Sequence, residues 1–257
     1  MNIAVILKQV PDTEANVAAD PTHPGKIVED TLKFILNPYD EYAVEEALVI
    51  AEKSGGEVIG VCIGSDRAEW AIRTAMAMGI HRAVFITDPE AVESDIITQA
   101  KILASIIKTL DVSLILCGRS WIDLQEDALA PALGHFLNIA HVSNAGKIDV
   151  DCLKATVIRE LDGGTLEVRV TLPAVISCSK ELNEPRYPTL IAIKRSKNKE
   201  IKRVTLSDLG MTPGTPRSFV TDLQTPSSRG KGKIVTGDPA DMVKEAVQWL
   251  SDEAKII

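Results

Sequence analysis

Hydrophobic positions follow two periods through the first half of the chain. Short apolar runs rich in β-branched residues fall at 3–7, 58–63, 83–87 and 112–117, each about the length of a fully buried strand. Between them the apolar positions recur at helical spacing. Residues 40–54 place Ala43, Ala47 and Ile50 on one face and stop at Gly55-Gly56; residues 67–78 group Ala68, Ile72, Ala75 and Met76 ahead of Gly79. Residues 95–110 follow Asp88-Pro89 and carry Ile96, Leu103, Ile107 and Leu110 as a similar stripe. Strand–helix alternation with short turns predicts an α/β fold, an open, mostly parallel sheet with helices on both faces. Ligands in such sheets bind at the carboxyl ends of strands, near the reversal of strand order, which singles out the loops at 8–11, 64–66 and 118–127.

After about Asn138 the pattern changes. Residues 147–150, 153–160, 165–171 and 174–178 read as shorter strands, with Asp162-Gly163-Gly164 as a hairpin signal between two of them. A basic tract, Lys194-Arg195-Ser196-Lys197-Asn198-Lys199 continuing to Lys202 and Arg203, comes next. Residues 211–237 are rich in Pro, Gly, Ser and Thr and read as an extended arm. Asp238-Pro239 then opens a last helix with Met242, Val243, Ala246, Trp249 and Leu250 on one face. The expected division is an α/β domain over 1–210, with the β extension and the 186–194 loop included, and an arm plus helix over 211–257 that packs on a partner subunit, a pattern equally compatible with packing on its own domain.

Composition narrows the function. A net charge of −8 argues against broad binding to nucleic acid, which needs a basic surface. No apolar run reaches the roughly 18–20 residues of a membrane span. The N-terminus reads as a first strand rather than a secretory signal, so the expected location is cytoplasmic. Cys62, Cys117, Cys152 and Cys178 are scattered with no CxxC pair, which gives no support to a structural metal or an iron–sulfur cluster. No P-loop, Gly-x-Ser-x-Gly elbow, His-Glu-x-x-His or Gly-x-Gly-x-x-Gly after the first strand is present, and the expectation is no catalysis by this chain alone.

Two segments stand out for binding. The loop from Gly118 to Asp127 follows a buried strand and leads into a helix, whose first amides would attract a phosphate. Glu126 and Asp127 would repel it unless they cap the helix and face away. Asn37-Pro38-Tyr39-Asp40 precedes another helix; Asn and Pro are ordinary choices there, yet Asn37 could also present its amide to a base or ribose.

The chain resembles the β subunit of electron transfer flavoproteins over nearly its full length. The matching stretches are Leu7-Lys8-Gln9-Val10-Pro11-Asp12-Thr13, Asn37-Pro38-Tyr39-Asp40-Glu41-Tyr42-Ala43-Val44-Glu45-Glu46-Ala47, Ile72-Arg73-Thr74-Ala75-Met76-Ala77-Met78-Gly79, Leu161-Asp162-Gly163-Gly164, Leu172-Pro173-Ala174-Val175 and Leu182-Asn183-Glu184-Pro185-Arg186-Tyr187. The resemblance implies a fold of the adenine-nucleotide α-hydrolase type. It also implies a heterodimer whose α subunit holds the redox-active FAD, and an electron path between acyl-CoA-type or other dehydrogenases and a quinone reductase or another acceptor. This chain would hold AMP or, in electron-bifurcating members, a second FAD.

Carried over by position, the nucleotide pocket comprises Ile6, Asn37, Pro38, Tyr39, Asp40 and Ile63, with Asp123, Leu124, Gln125, Glu126, Asp127, Ala128, Leu129, Ala130, Pro131, Ala132 and Leu133 as the phosphate loop. Within that loop Asp127-Ala128-Leu129-Ala130-Pro131 lacks the hydroxyl and amide donors of many members and adds a carboxylate, which leaves AMP, a second FAD and an empty pocket open. The dehydrogenase-docking segment would be Arg186, Tyr187, Pro188, Thr189, Leu190, Ile191, Ala192, Ile193 and Lys194, with Leu190 as the apolar anchor. Glu160 would contact the flavin domain of the α subunit. A stand-alone nucleotide-binding sensor of the same superfamily is the rival reading.

Overall fold

The computed structural model describes residues 1–212, 216–225, 232, 234–253 and 255–256. The arm expected over 211–237 lies partly outside the described residues. Contacts divide the chain into two compact units, Met1–Leu223 and Gln224–Ile257.

In the first unit the apolar runs become β1 (Ile3–Leu7), β4 (Val58–Ile63), β5 (Arg82–Ile86) and β6 (Leu114–Gly118). Two short strands, β2 (Gln9–Pro11) and β3 (Phe34–Leu36), pair antiparallel beside them. Later come β7 (Ala140–Asp151), β8 (Lys154–Leu161), β9 (Gly164–Thr171), β10 (Ala174–Cys178) and β11 (Ile201–Val204). The main sheet has the order β11-β5-β4-β1-β6-β10-β7-β8-β9. It is parallel from β11 to β7 and antiparallel through β8 and β9.

Helices α1 (Pro38–Ser54) and α2 (Glu69–Met78) cover one face; α3 (Pro89–Val92), α4 (Ile96–Ile107) and α5 (Leu129–Leu137) cover the other. Side chains of β1 alternate accordingly, with Ile3, Val5 and Leu7 in the α1–α2 core and Ala4 and Ile6 in the α4–α5 core. Burial on both faces is why these strands read as continuous apolar runs; each buried Val, Leu or Ile contributes roughly 1.5–3 kcal/mol. The chain runs from β1 outward to β4 and β5, then returns past β1 to β6. Strand order therefore reverses between β1 and β6, and that gap sets the site.

The hairpin signal is met: β8 and β9 pair up to Leu161 opposite Gly164, and Gly163 at φ 89° makes the turn a side chain would resist. β7 starts at Ala140, earlier than the expected 147. Its first residues pair parallel with β10 and its last pair antiparallel with β8, across a break in register where Asn144 takes φ 62°. Polar His141, Ser143 and Asn144 conceal that first half from a search for apolar alternation. β11 falls within the basic tract; it is an edge strand, where charged side chains discourage further pairing.

In the second unit the last helix forms as α7 (Pro239–Asp252), with Asp238 accepting from the N–H of Ala240 at 3.1 Å. Among the described residues no helix is long and apolar enough to cross a membrane.

Candidate functional site at the strand-order reversal

Asp40 joins the two strands that part at the reversal. It is fully buried in the first turn of α1, and its Oδ2 accepts from the backbone N–H of Lys8, just past β1, at 2.8 Å. Its Oδ1 accepts from the N–H of Gly118, the last residue of β6, at 3.1 Å, and from Nδ2 of Asn37 at 2.9 Å. Burial pushes the carboxyl of Asp40 up to about 7, against the three N–H groups and the nearby Lys8 charge, which favour the anion. Gly118 is required for this approach: a Cβ there would stand 2.4 Å from Asp40 Oδ1 and 2.7 Å from the Cβ of Tyr39.

Asn37 is also fully buried and stands at the N-cap of α1, but its side chain makes no capping bond to that helix. Its Nδ2 donates to Asp40 and, at 3.0 Å, to the carbonyl of Ser120; its Oδ1 accepts from the N–H of Ile122 at 3.4 Å. Both amide protons are thus engaged within the protein, so Asn37 shapes the loop after β6 rather than offering donors to a base. The loop closes on itself through paired backbone bonds between Trp121 and Glu126, with Gln125 at φ 52°. Lys8 Nζ lies 2.7 Å from Asp123 Oδ2 and 4.3 Å above the Trp121 ring, fastening the loop back to β1.

Above these braces opens a cleft of about 330 Å³ lined by Tyr39, Arg119, Ser120, Ile122, Gln125 and Asp127. The structure brings Tyr39, Gln125 and Asp127 of the expected pocket to this cleft. Ile6 and Ile63 are core residues of the α4–α5 layer, and Leu129, Ala130 and Leu133 are buried in α5. The N-cap of α5 is Ala128, with no side-chain cap, so the Asp127 carboxylate does not turn away to cap that helix. Burial raises the Glu126 carboxyl. Lys8 and Arg119 are absent from the pocket carried over by position, but both fall in the strand-end loops, 8–11 and 118–127, that the sheet pattern singles out.

The cleft offers an aromatic ring, a guanidinium, a hydroxyl and an amide beside one carboxylate acceptor. Its volume lies near the lower end of the roughly 300–1,000 Å³ of small-molecule sites. The buried indole N–H of Trp121, without an acceptor among the described residues, leaves a further donor uncommitted in the same loop.

A second region is the segment after β10. Leu190 opens a short helix, α6 (Leu190–Ser196), capped by the Thr189 hydroxyl, which accepts from the N–H of Ala192 at 3.2 Å. Leu190 is 80% exposed, Ile191 63% and Tyr187 93%. Arg186 differs from them: its guanidinium is spent on Glu45 at 2.8 and 2.9 Å and on Glu52 at 2.7 Å. Glu160 is exposed near the end of β8, its side chain beside Gly146.

Residues 25–209 match the family described as "Electron transfer flavoprotein domain". Electron transfer flavoprotein subunit beta of Bacillus subtilis is 35% identical, with all of both chains covered. The protein of that name from Thermoanaerobacterium thermosaccharolyticum is 36% identical over 97% of this chain and 96% of its own. The Homo sapiens protein of the same name is 34% identical over 95% of this chain and 97% of its own. With the α/β sheet, the cleft at the reversal and full-length similarity in agreement, the chain belongs to the electron transfer flavoprotein β subunit family.

Proposed function

We propose that this chain is the non-catalytic half of a heterodimeric electron carrier, serving as scaffold, nucleotide site and landing surface for a dehydrogenase. The observation that carries the reading is Leu190, a large apolar side chain held 80% exposed on a helix with its own N-cap. A leucine on a folded scaffold, with no core to enter, is suited to fill a pocket on another protein. An FAD held by the α subunit would supply the one- and two-electron chemistry. This chain's residues bind and position: Glu160 and the apolar face of α7 toward the α subunit, Leu190 and Ile191 toward the dehydrogenase. Electrons would pass onward to a quinone reductase or a comparable acceptor.

The cleft at the strand-order reversal takes AMP in this reading. Tyr39 would flank the base, Arg119 and Ser120 would meet the phosphate, and Asp127 would accept from ribose hydroxyls. This reading takes AMP over a second FAD, and with it a simple carrier over an electron-bifurcating one. Co-expression with the α subunit tests the assignment. The heterodimer should be yellow and release one FAD and one AMP by mass spectrometry, and the lone folded chain should show no flavin absorbance. A second FAD released from the heterodimer would contradict the mononucleotide assignment; flavin in the lone chain would contradict the division of labour.

A further inference from the structure

The docking surface hangs between two anchor points, each with an arginine at its centre. At the first, Asn183 Nδ2 donates to the carbonyl of Tyr42 at 3.1 Å and to Glu46 at 3.0 Å, both on α1. Three residues on, the backbone N–H of Arg186 and its Nε both reach Glu45 Oε2, its Nη2 reaches Glu45 Oε1, and its Nη1 reaches Glu52. At the second, Nη1 of Arg73 on α2 donates to the carbonyls of Ser196 at 2.7 Å and Lys199 at 2.8 Å, while Glu69 orients the guanidinium at 3.1–3.2 Å. Lys199 Nζ donates in turn to the carbonyls of Met76 and Ile80 at the end of α2, at 2.9 and 2.6 Å. Between these points Tyr187, Leu190 and Ile191 project into solvent.

A seven-residue helix is not stable by itself, so the direction in which α6 presents Leu190 must come from its attachments. We infer that Arg186 and Arg73 are positioning residues for dehydrogenase docking, holding the segment between α1 and α2 as a preformed arch. Neither guanidinium is left for the partner. Each acts through the backbone it fixes, and the gain is a docking segment already ordered before contact. This inference rests on the docking role proposed above for Leu190.

The test uses the holo heterodimer, with an acyl-CoA dehydrogenase reduced by its substrate as electron donor and the carrier as the varied substrate. Arg186→Met and Arg73→Met should each raise the carrier KM about tenfold, because the segment must then be ordered on binding. The kcat at saturating carrier, the flavin spectrum and the nucleotide content should stay as in the wild type. Arg186→Lys, with the charge but not the forked geometry, should recover only part of the loss. If Leu190→Ala raises KM and both arginine variants leave it unchanged, the arch is wrong and the docking reading stands; if Leu190→Ala changes nothing, the docking reading itself fails. Should Arg186→Met not assemble, Glu52→Gln loosens only the outer bond of the clamp. Faster amide hydrogen exchange across residues 190–196 would then support the arch, and unchanged exchange would overturn it.

Discussion

Asp40 is buried with three N–H groups aimed at its carboxylate, two of them from the backbone on either side of the strand-order reversal. Burial raises its folded pKa to about 7 from an ordinary 3.8. Between those values the folded chain holds a proton that the unfolded chain has lost, so stability falls as pH rises through that interval and levels off above it. Asn at position 40 cannot titrate, and it turns an amide N–H toward one of the donors. Asp40→Asn should therefore be destabilised, by about 1–3 kcal/mol for an unsatisfied buried donor. The wild type's advantage should shrink from pH 5 to pH 8, measured as the difference in urea midpoints. Parallel pH profiles for the two proteins would refute the assignment. The site was only partly legible at this scale. The pattern Asn37-Pro38-Tyr39-Asp40 marked a helix start and a candidate ligand contact, but spacing along the chain cannot show that Asn37 and Asp40 turn inward to bind loops some 80 residues away. The resemblance puts Arg186 in the docking surface, but its partners Glu45 and Glu52 lie more than 130 residues distant, beyond any local pattern.

The elements that could be read were those whose burial is two-sided or strictly periodic. β1, β4 and the helices α1, α2 and α4 fall within a few residues of expectation, because continuous apolar runs and helical stripes leave little choice. β11, α6 and the first half of β7 were hidden, since an edge strand with Lys202 and Arg203, an exposed short helix and a bulged polar strand carry no such signature. Structural use of the basic tract was equally invisible: Lys199 ties the end of α2, and Arg203 pairs with Asp66 and Glu69. Packing of α1 against β6 gives a prediction at this scale. Gly118→Ala puts a methyl 2.4 Å from Asp40 Oδ1 and 2.8 Å from the backbone of Tyr39, so α1 cannot keep its place. The variant should lose several kcal/mol, in keeping with strain in a tightly packed interior, and under the AMP proposal its AMP content should drop. Calorimetry and nucleotide release measure the two; a wild-type Tm with full AMP would show that α1 is not seated on β6 as described.

At the scale of the whole molecule, the cleft and the exposed Leu190 segment are built on different elements. The cleft stands over the reversal between β1 and β6, while Leu190 projects from a segment tied to α1 at one end and to α2 at the other. The chain is acidic overall at −8, yet α6 carries Lys194 and Arg195 beside its apolar residues, which suits a partner surface of acidic rim and apolar centre. Burying one leucine side chain is worth roughly 1.5–3 kcal/mol, about ten- to hundredfold in affinity. The most direct measurement is therefore the dehydrogenase-driven reduction of the carrier flavin at graded concentrations of wild-type and Leu190→Ala heterodimer. The account predicts a KM about ten- to hundredfold higher for the variant with the same kcat; equal KM values would show that Leu190 is not where the dehydrogenase lands.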